Sequence, residues 1–134
     1  MAGEQVLLVE DNERNIKLLR DVLQATGYRT LEASTGWRAI ALATSHRPAL
    51  VLMDVRLPDM TGIEALGRLR ADVPTARIPV IAVTAQAMKG DLERFIAAGF
   101  DGYLPKPVDI DALLAIVELH CRRGADSAIG VEAR

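Results

Sequence analysis

The run Leu50-Val51-Leu52-Met53, followed at once by Asp54, constrains this chain more than any other segment. Four large apolar residues without a polar interruption fit a strand buried on both faces, as in a parallel sheet covered by helices. Such a strand delivers its last residue to the carboxyl edge of the sheet, where ligands gather in open α/β folds. Asp54 has two readings at this point. It is a chemical centre, or it caps the turn of Val55 to Gly62, since Asp favours turns and helix starts.

The same pattern recurs along the chain. Val6-Leu7-Leu8-Val9 runs into Glu10-Asp11, and Val80-Ile81-Ala82-Val83 ends at Thr84-Ala85. Gly102-Tyr103-Leu104 is a shorter strand that meets Pro105-Lys106-Pro107, and Tyr28 to Ala33 alternates weakly, as an edge strand should. Helical spacing fills the gaps. Ile16, Leu19 and Leu23 follow Asn12 and stop at Gly27, and Ala39, Ile40 and Ala43 lie between Thr35-Gly36 and about Ser45. Ile63, Leu66 and Leu69 follow Thr61-Gly62, while Leu92, Phe95 and Ile96 form the expected inner stripe of a helix from Lys89 to Ala98, ended by Gly99. Asp109 caps a last helix carrying Ile110, Leu113, Leu114, Val117 and Cys121. Strands alternating with helices in this way imply right-handed crossovers and a parallel sheet with helices on both faces. Residues 4–122 are expected to form one domain, and residues 123–134, without apolar period, a flexible C-terminal tail.

Composition narrows the class. A net charge of -2 and no basic cluster argue against nucleic acid as a partner, and the tail is too short for a helix-turn-helix. No apolar run approaches the ~18 to 20 residues needed to cross a bilayer, and the N-terminus lacks a secretory pattern, so a cytoplasmic protein without membrane insertion is expected. The one cysteine, Cys121, cannot form an internal disulfide and falls on the apolar spacing of the last helix, as a small core residue would. His46 and His120 share no ligand spacing and are expected at the surface, and Trp37 is expected to pack partly into the core. The start at Met1 and the trailing tail favour a free-standing protein.

Chemistry concentrates at the strand ends. Adjacent strands lie ~4.8 Å apart, so Glu10, Asp11, Asp54, Thr84 and Lys106 can converge on one pocket. Three carboxylates together require a cation, and oxygen ligands without His or Cys select Mg²⁺ or a similar ion. A hydroxyl and an ammonium beside them suit a tetrahedral oxyanion, best a phosphate.

With these pieces in place the chain resembles a receiver domain of the two-component response regulator family. The matching segments are Val9-Glu10-Asp11-Asn12, Leu52-Met53-Asp54-Val55-Arg56-Leu57-Pro58, Thr61-Gly62, Val83-Thr84-Ala85, Gly99-Phe100-Asp101-Gly102-Tyr103 and Lys106-Pro107. Each is weak alone. Their order and placement at strand ends are specific. Glu10-Asp11-Asn12 with Asn15, and Ala87-Met88-Lys89-Gly90-Asp91, resemble the small single-domain regulators of cell cycle and polarity, the DivK type.

The resemblance implies a flavodoxin-like (βα)5 sandwich with strand order 2-1-3-4-5. It implies that Asp54 accepts a phosphoryl group from a phosphohistidine on a histidine kinase or a histidine phosphotransfer protein. Glu10, Asp11, Asp54 and the backbone carbonyl of Arg56 would hold Mg²⁺, with Mn²⁺ as an alternative. Lys106, the Thr84 hydroxyl and the Ala85 N–H would hold the phosphoryl oxygens. Thr84 and Tyr103 would form the switch, and Lys106-Pro107 is a candidate cis peptide. Output would pass to a protein target through the face of the fourth helix, fifth strand and fifth helix, about Met88 to Glu118. Such a protein is no enzyme beyond catalysing its own phosphorylation and slow autodephosphorylation.

Arg56 and Gln86 occupy the positions that tune phosphate lifetime in that family, so Gln86→Ala should change the decay of labelled phosphoprotein more than its yield. Among the rivals, a haloacid dehalogenase-like phosphatase needs a second acid where this chain has Arg56. A nucleotide-binding protein needs a phosphate-binding glycine loop, which is missing. A receiver piece of a hybrid histidine kinase stays open, and a phosphorylation-independent binding module is disfavoured by the complete set of acids, Thr84 and Lys106.

Overall fold

A computed structural model describes residues 3–85 and 89–133. The strands are β1 (Gln5–Val9), β2 (Arg29–Ala33), β3 (Leu50–Asp54), β4 (Val80–Thr84) and β5 (Gly102–Pro105). They alternate with helices α1 (Glu13–Ala25), α2 (Gly36–His46), α3 (Gly62–Ala71), α4 (Lys89–Ala98) and α5 (Ile110–Ala133). Every strand pairing is parallel, in the order β2-β1-β3-β4-β5.

The period-two alternation of side chains divides the core into two layers. Leu50 and Leu52 of β3, with Leu8 and Ile81 beside them, meet Leu19 and Leu23 of α1 and Leu113 and Val117 of α5. Val51 and Met53, with Leu7 and Ala82, meet Ala39 of α2, Leu66 and Leu69 of α3 and Phe95 of α4. Helices on both faces explain the unbroken apolar runs, because every position of β3 and β4 is buried. Each such leucine contributes roughly 1.5–3 kcal/mol. β2 lies at an edge and exposes Arg29 and Glu32, which is why its alternation is weak.

Local chemistry sets the helix boundaries. Asn12, Thr35 and Thr61 accept first-turn amides of α1, α2 and α3, and Asp109 accepts the Ala112 N–H at 2.9 Å. Gly27 and Gly99, at φ 101° and 112°, adopt the left-handed conformation that ends α1 and α4.

The structure departs from the sequence expectation at four places. The backbone of α5 continues as helix to Ala133 rather than ending near Arg122. His120, expected at the surface near the helix end, faces inward instead. It is 6% exposed, on the stripe of Val117 and Cys121. Ile96 is half exposed, because Phe95 takes the inward position on α4. Trp37 is 55% exposed rather than in the core, with the Arg68 guanidinium 4.4 Å from its ring centre. Cys121 is buried as expected, and burial pushes its thiol up to about 11.

One side chain ties the base of the sheet together. Arg70 donates to the carbonyls of Ala76 (3.2 Å), Ile78 (2.6 Å) and Gly99 (3.1 Å) and to the Asp101 carboxylate (2.9 Å). Asp101 also accepts the Val80 N–H at 2.8 Å. The end of α3, the entry to β4 and the end of α4 therefore share one guanidinium. Because Arg70 is partly open to water, Arg70→Ala is expected to cost about 2–3 kcal/mol in urea unfolding rather than the full sum of its bonds. A loss under about 0.5 kcal/mol, the size of an ordinary surface substitution, would show that water replaces all of them.

Candidate phosphoryl-acceptor site

The chain leaves β1 toward β2 and then crosses back to β3, so the topological switch lies between β1 and β3. The register pairs Val9 with Met53, and Asp54 with Val83. Glu10, Asp54 and Thr84 therefore stand side by side at the carboxyl edge. With Asp11, Ala85 and Lys106 they line a cleft of about 300 Å³, which Asn15 and Arg56 also border.

Lys106 sits between the two buried acids. Its Nζ lies 2.7 Å from Glu10 Oε1 and 3.0 Å from Asp54 Oδ2. Its backbone N–H donates to the Thr84 carbonyl at 2.8 Å, and the Lys106–Pro107 peptide is cis. Glu10 accepts the Asn12 N–H at 3.1 Å and the Asn15 side-chain amide at 3.3 Å, while Asp54 Oδ1 accepts the Arg56 N–H at 3.0 Å. The turn-cap role of Asp54 is thus present, but only one of its oxygens is used for it.

Burial raises the Glu10 carboxyl above its ordinary value, and the hydrogen bond with Asp54 adds to this against the pull of Lys106 and the Asn12 amide. Burial alone would lower the Lys106 ammonium, but its bonds to Glu10 and Asp54 leave it raised, so it stays charged. Glu10, Asp11 and Asp54 each offer an oxygen, all within 4.8 Å of one another. One ammonium among three acids leaves negative charge unbalanced, and an all-oxygen donor set suits Mg²⁺.

These shifts give a signed pH effect. A carboxyl raised on folding adds stability below its unfolded value, here near 4.5, and loses it as pH rises through the folded value. In chelator the contribution of Glu10 should therefore fall on leaving the acid range, and the increment in melting temperature on adding Mg²⁺ should grow toward pH ~7, because binding needs Glu10 deprotonated. A Mg²⁺-induced increment independent of pH in thermal melts would contradict this.

Thr84 is buried, and Tyr103 is half-buried against the layer that faces α2, α3 and α4. The register sets Tyr103 beside Ala82 and Pro105 beside Thr84, so Thr84 and Tyr103 belong to adjacent strands of the same layer. Gln86, Ala87 and Met88 lie outside the described residues. Asn15 was legible only as part of a motif. Its role as partner of Glu10 follows from its place one helical turn beyond Asp11.

The response regulator receiver domain profile matches residues 6–118. The chain belongs to the response regulator receiver family. It is 44% identical over 115 residues to the polar-differentiation response regulator DivK of Brucella anthropi, covering 86% of this chain and 94% of that protein, with the same figures for DivK of Brucella abortus strain 2308. Among solved structures it resembles the receiver domain of the sensor histidine kinase PA1611 from Pseudomonas aeruginosa PAO1, which has a magnesium ion coordinated in its active-site cleft. Identity is 38%, TM-score 0.83, with 90% of this chain and 98% of that one covered. The chemotaxis response regulator CheY4 of Vibrio cholerae matches at 27% identity and TM-score 0.83, covering 89% of this chain and 99% of that one. This receiver is of the DivK type. No helix among the described residues is long and apolar enough to cross a membrane.

Proposed function

We propose that Asp54 accepts a phosphoryl group from a phosphohistidine on a histidine kinase or a histidine phosphotransfer protein. The observation that carries this reading is the Asp54 carboxylate itself, with one oxygen fixed by the Arg56 N–H and the other paired to Lys106. An Asp54 oxygen attacks phosphorus, the P–N bond breaks, and the released imidazole nitrogen takes up a proton. Bound through Glu10, Asp11, Asp54 and the Arg56 carbonyl, Mg²⁺ (or Mn²⁺) supplies neutralisation of phosphoryl charge. Lys106 holds a phosphoryl oxygen as a point charge, and the Thr84 hydroxyl and Ala85 N–H donate to the others.

The new charge on Asp54 draws Thr84 inward, and Tyr103 follows in the same layer, changing the surface of α4, β5 and α5 that a protein target reads. Residues 4–122 form the working unit, and the protein acts in the cytoplasm. Its only catalysis is on itself, tuned by Arg56 and Gln86. A second reading, as the receiver of a hybrid kinase, draws on the 38% identity to a sensor-kinase receiver.

Incubation with Mg²⁺ and acetyl phosphate should add one phosphate to the intact mass, and Asp54→Asn should abolish the gain. A chain that gains nothing from acetyl phosphate or from a phosphorylated phosphotransfer protein is a binding module instead.

A further inference from the structure

The loop between β3 and α3 is anchored at both ends, and its outer anchor is a residue that phosphoryl chemistry does not use. At the inner end the Arg56 N–H bonds to Asp54, Arg56 bridges to Thr61, and the Gly62 N–H donates to the Val55 carbonyl at 2.7 Å. At the outer end the Asp59 carboxylate accepts the backbone N–H groups of Gly36 (2.8 Å) and Trp37 (3.0 Å). These are the first two amides of α2. The helix has its own cap, Thr35, which takes the Arg38 N–H at 3.1 Å. Asp59 comes from a different element, 23 positions away from Gly36, so its bonds join elements rather than start a helix.

A second contact fixes the same place. A Cβ at Gly36 would lie 2.5 Å from both Cγ and Sδ of Met60, which is buried. The glycine leaves the space into which Met60 docks beside the Asp59 bonds. Across this junction Trp37 of α2 lies under Arg68 of α3. Asp59 itself is exposed, so its two bonds are not needed to satisfy a buried carboxylate. The two amides hold its carboxyl below the usual range.

We infer that Asp59 is a positioning residue: by gripping the N-terminus of α2 it holds the β3–α3 loop, and with it the Arg56 carbonyl, in the arrangement that the metal requires. This rests on the phosphoryl-acceptor reading above, in which that carbonyl is a ligand. Outer residues that orient metal ligands carry a large share of metal affinity. The same linkage makes Trp37, the chain's one tryptophan, a reporter of the loop.

Calorimetric titration of the full chain with Mg²⁺, run on wild type, Asp59→Ala and Asp59→Asn, tests this. Asp59→Ala should bind Mg²⁺ about tenfold more weakly. Asp59→Asn, which keeps one acceptor oxygen, should fall between. Trp37 emission should change on Mg²⁺ addition in wild type and stay flat in Asp59→Ala, with circular dichroism showing that each variant is folded. Equal affinities would overturn the inference and leave Asp59 as a helix tether, even if the melting temperature or the exchange of the Gly36 and Trp37 amides changed. Absence of Mg²⁺ binding by wild type would overturn it together with the metal-dependent reading. Mg²⁺ binding by wild type without phosphate gain would defeat the phosphoryl reading alone.

Discussion

Lys106→Ala should slow phosphorylation by acetyl phosphate at least a hundredfold, on the order of the loss when a preorganised charge partner of a transition state is removed. The ammonium lies within 3.0 Å of both buried acids and is held charged by them, so it is in place before any phosphate arrives. Its removal has a second consequence of opposite sign. Glu10 and Asp54 lose their shared cation, and the site's need for Mg²⁺ grows, so Mg²⁺ affinity should hold or rise while transfer collapses. The split separates Lys106 from a scaffold residue. Loss of Mg²⁺ affinity in proportion to the rate would mean that the variant disorders the cleft, and that Lys106 has no distinct role toward phosphate.

Gly62→Ala should be nearly as damaging for a purely steric reason. A Cβ there would lie 2.8 Å from the Asp54 carbonyl oxygen and 2.9 Å from Val55 Cα. Both are backbone atoms at the end of β3 and cannot swing aside as a flexible side chain does. Relief requires α3 to move off the strand end, which breaks the Gly62 N–H bond to Val55 and displaces the loop that carries Arg56. Overpacking of this kind costs about 1–3 kcal/mol. A displacement of ~1 Å at the reacting carboxylate is worth roughly a hundredfold in rate. Gly67 on the same helix is the control. A Cβ there meets nothing within 4 Å, so Gly67→Ala should stabilise the protein by about 0.5–1 kcal/mol and leave phosphorylation unchanged. Chemical unfolding and transfer rates of the two variants check this, and similar behaviour at the two positions would contradict it.

What was legible in the sequence follows from where burial is unambiguous. β3 and β4 are covered on both faces, so Leu50–Met53 and Val80–Val83 carry unbroken apolar runs, and the residue after each run had to stand at the sheet edge. Glu10, Asp54 and Thr84 were readable for that reason, and the register brings them together as adjacent strand ends should. Residues whose roles depend on docking between elements were not readable. Arg70 finds its partners across three segments, and Asp59 reaches a helix that starts 23 residues earlier. No local pattern records either distance. The period of a helix is also too coarse to separate neighbours, which is how Ile96, expected on the inner stripe with Phe95, came to lie half exposed and Trp37 outside the core. His120 lies three residues after Val117 and beside Cys121, on the buried stripe, and a polar residue type gives no sign of that position.

Whether the single carboxylate of Asp54 receives the phosphoryl group is decided by chemical trapping. An aspartyl phosphate treated with borohydride is reduced to homoserine, and fragment masses then locate the altered residue. After reaction with Mg²⁺ and acetyl phosphate, homoserine should be found at position 54, with Glu10 and Asp11 unchanged and no trapping when Mg²⁺ is removed by chelator. Reduction at Glu10 or Asp11, or a phosphorylated chain with an intact Asp54, would contradict the assignment.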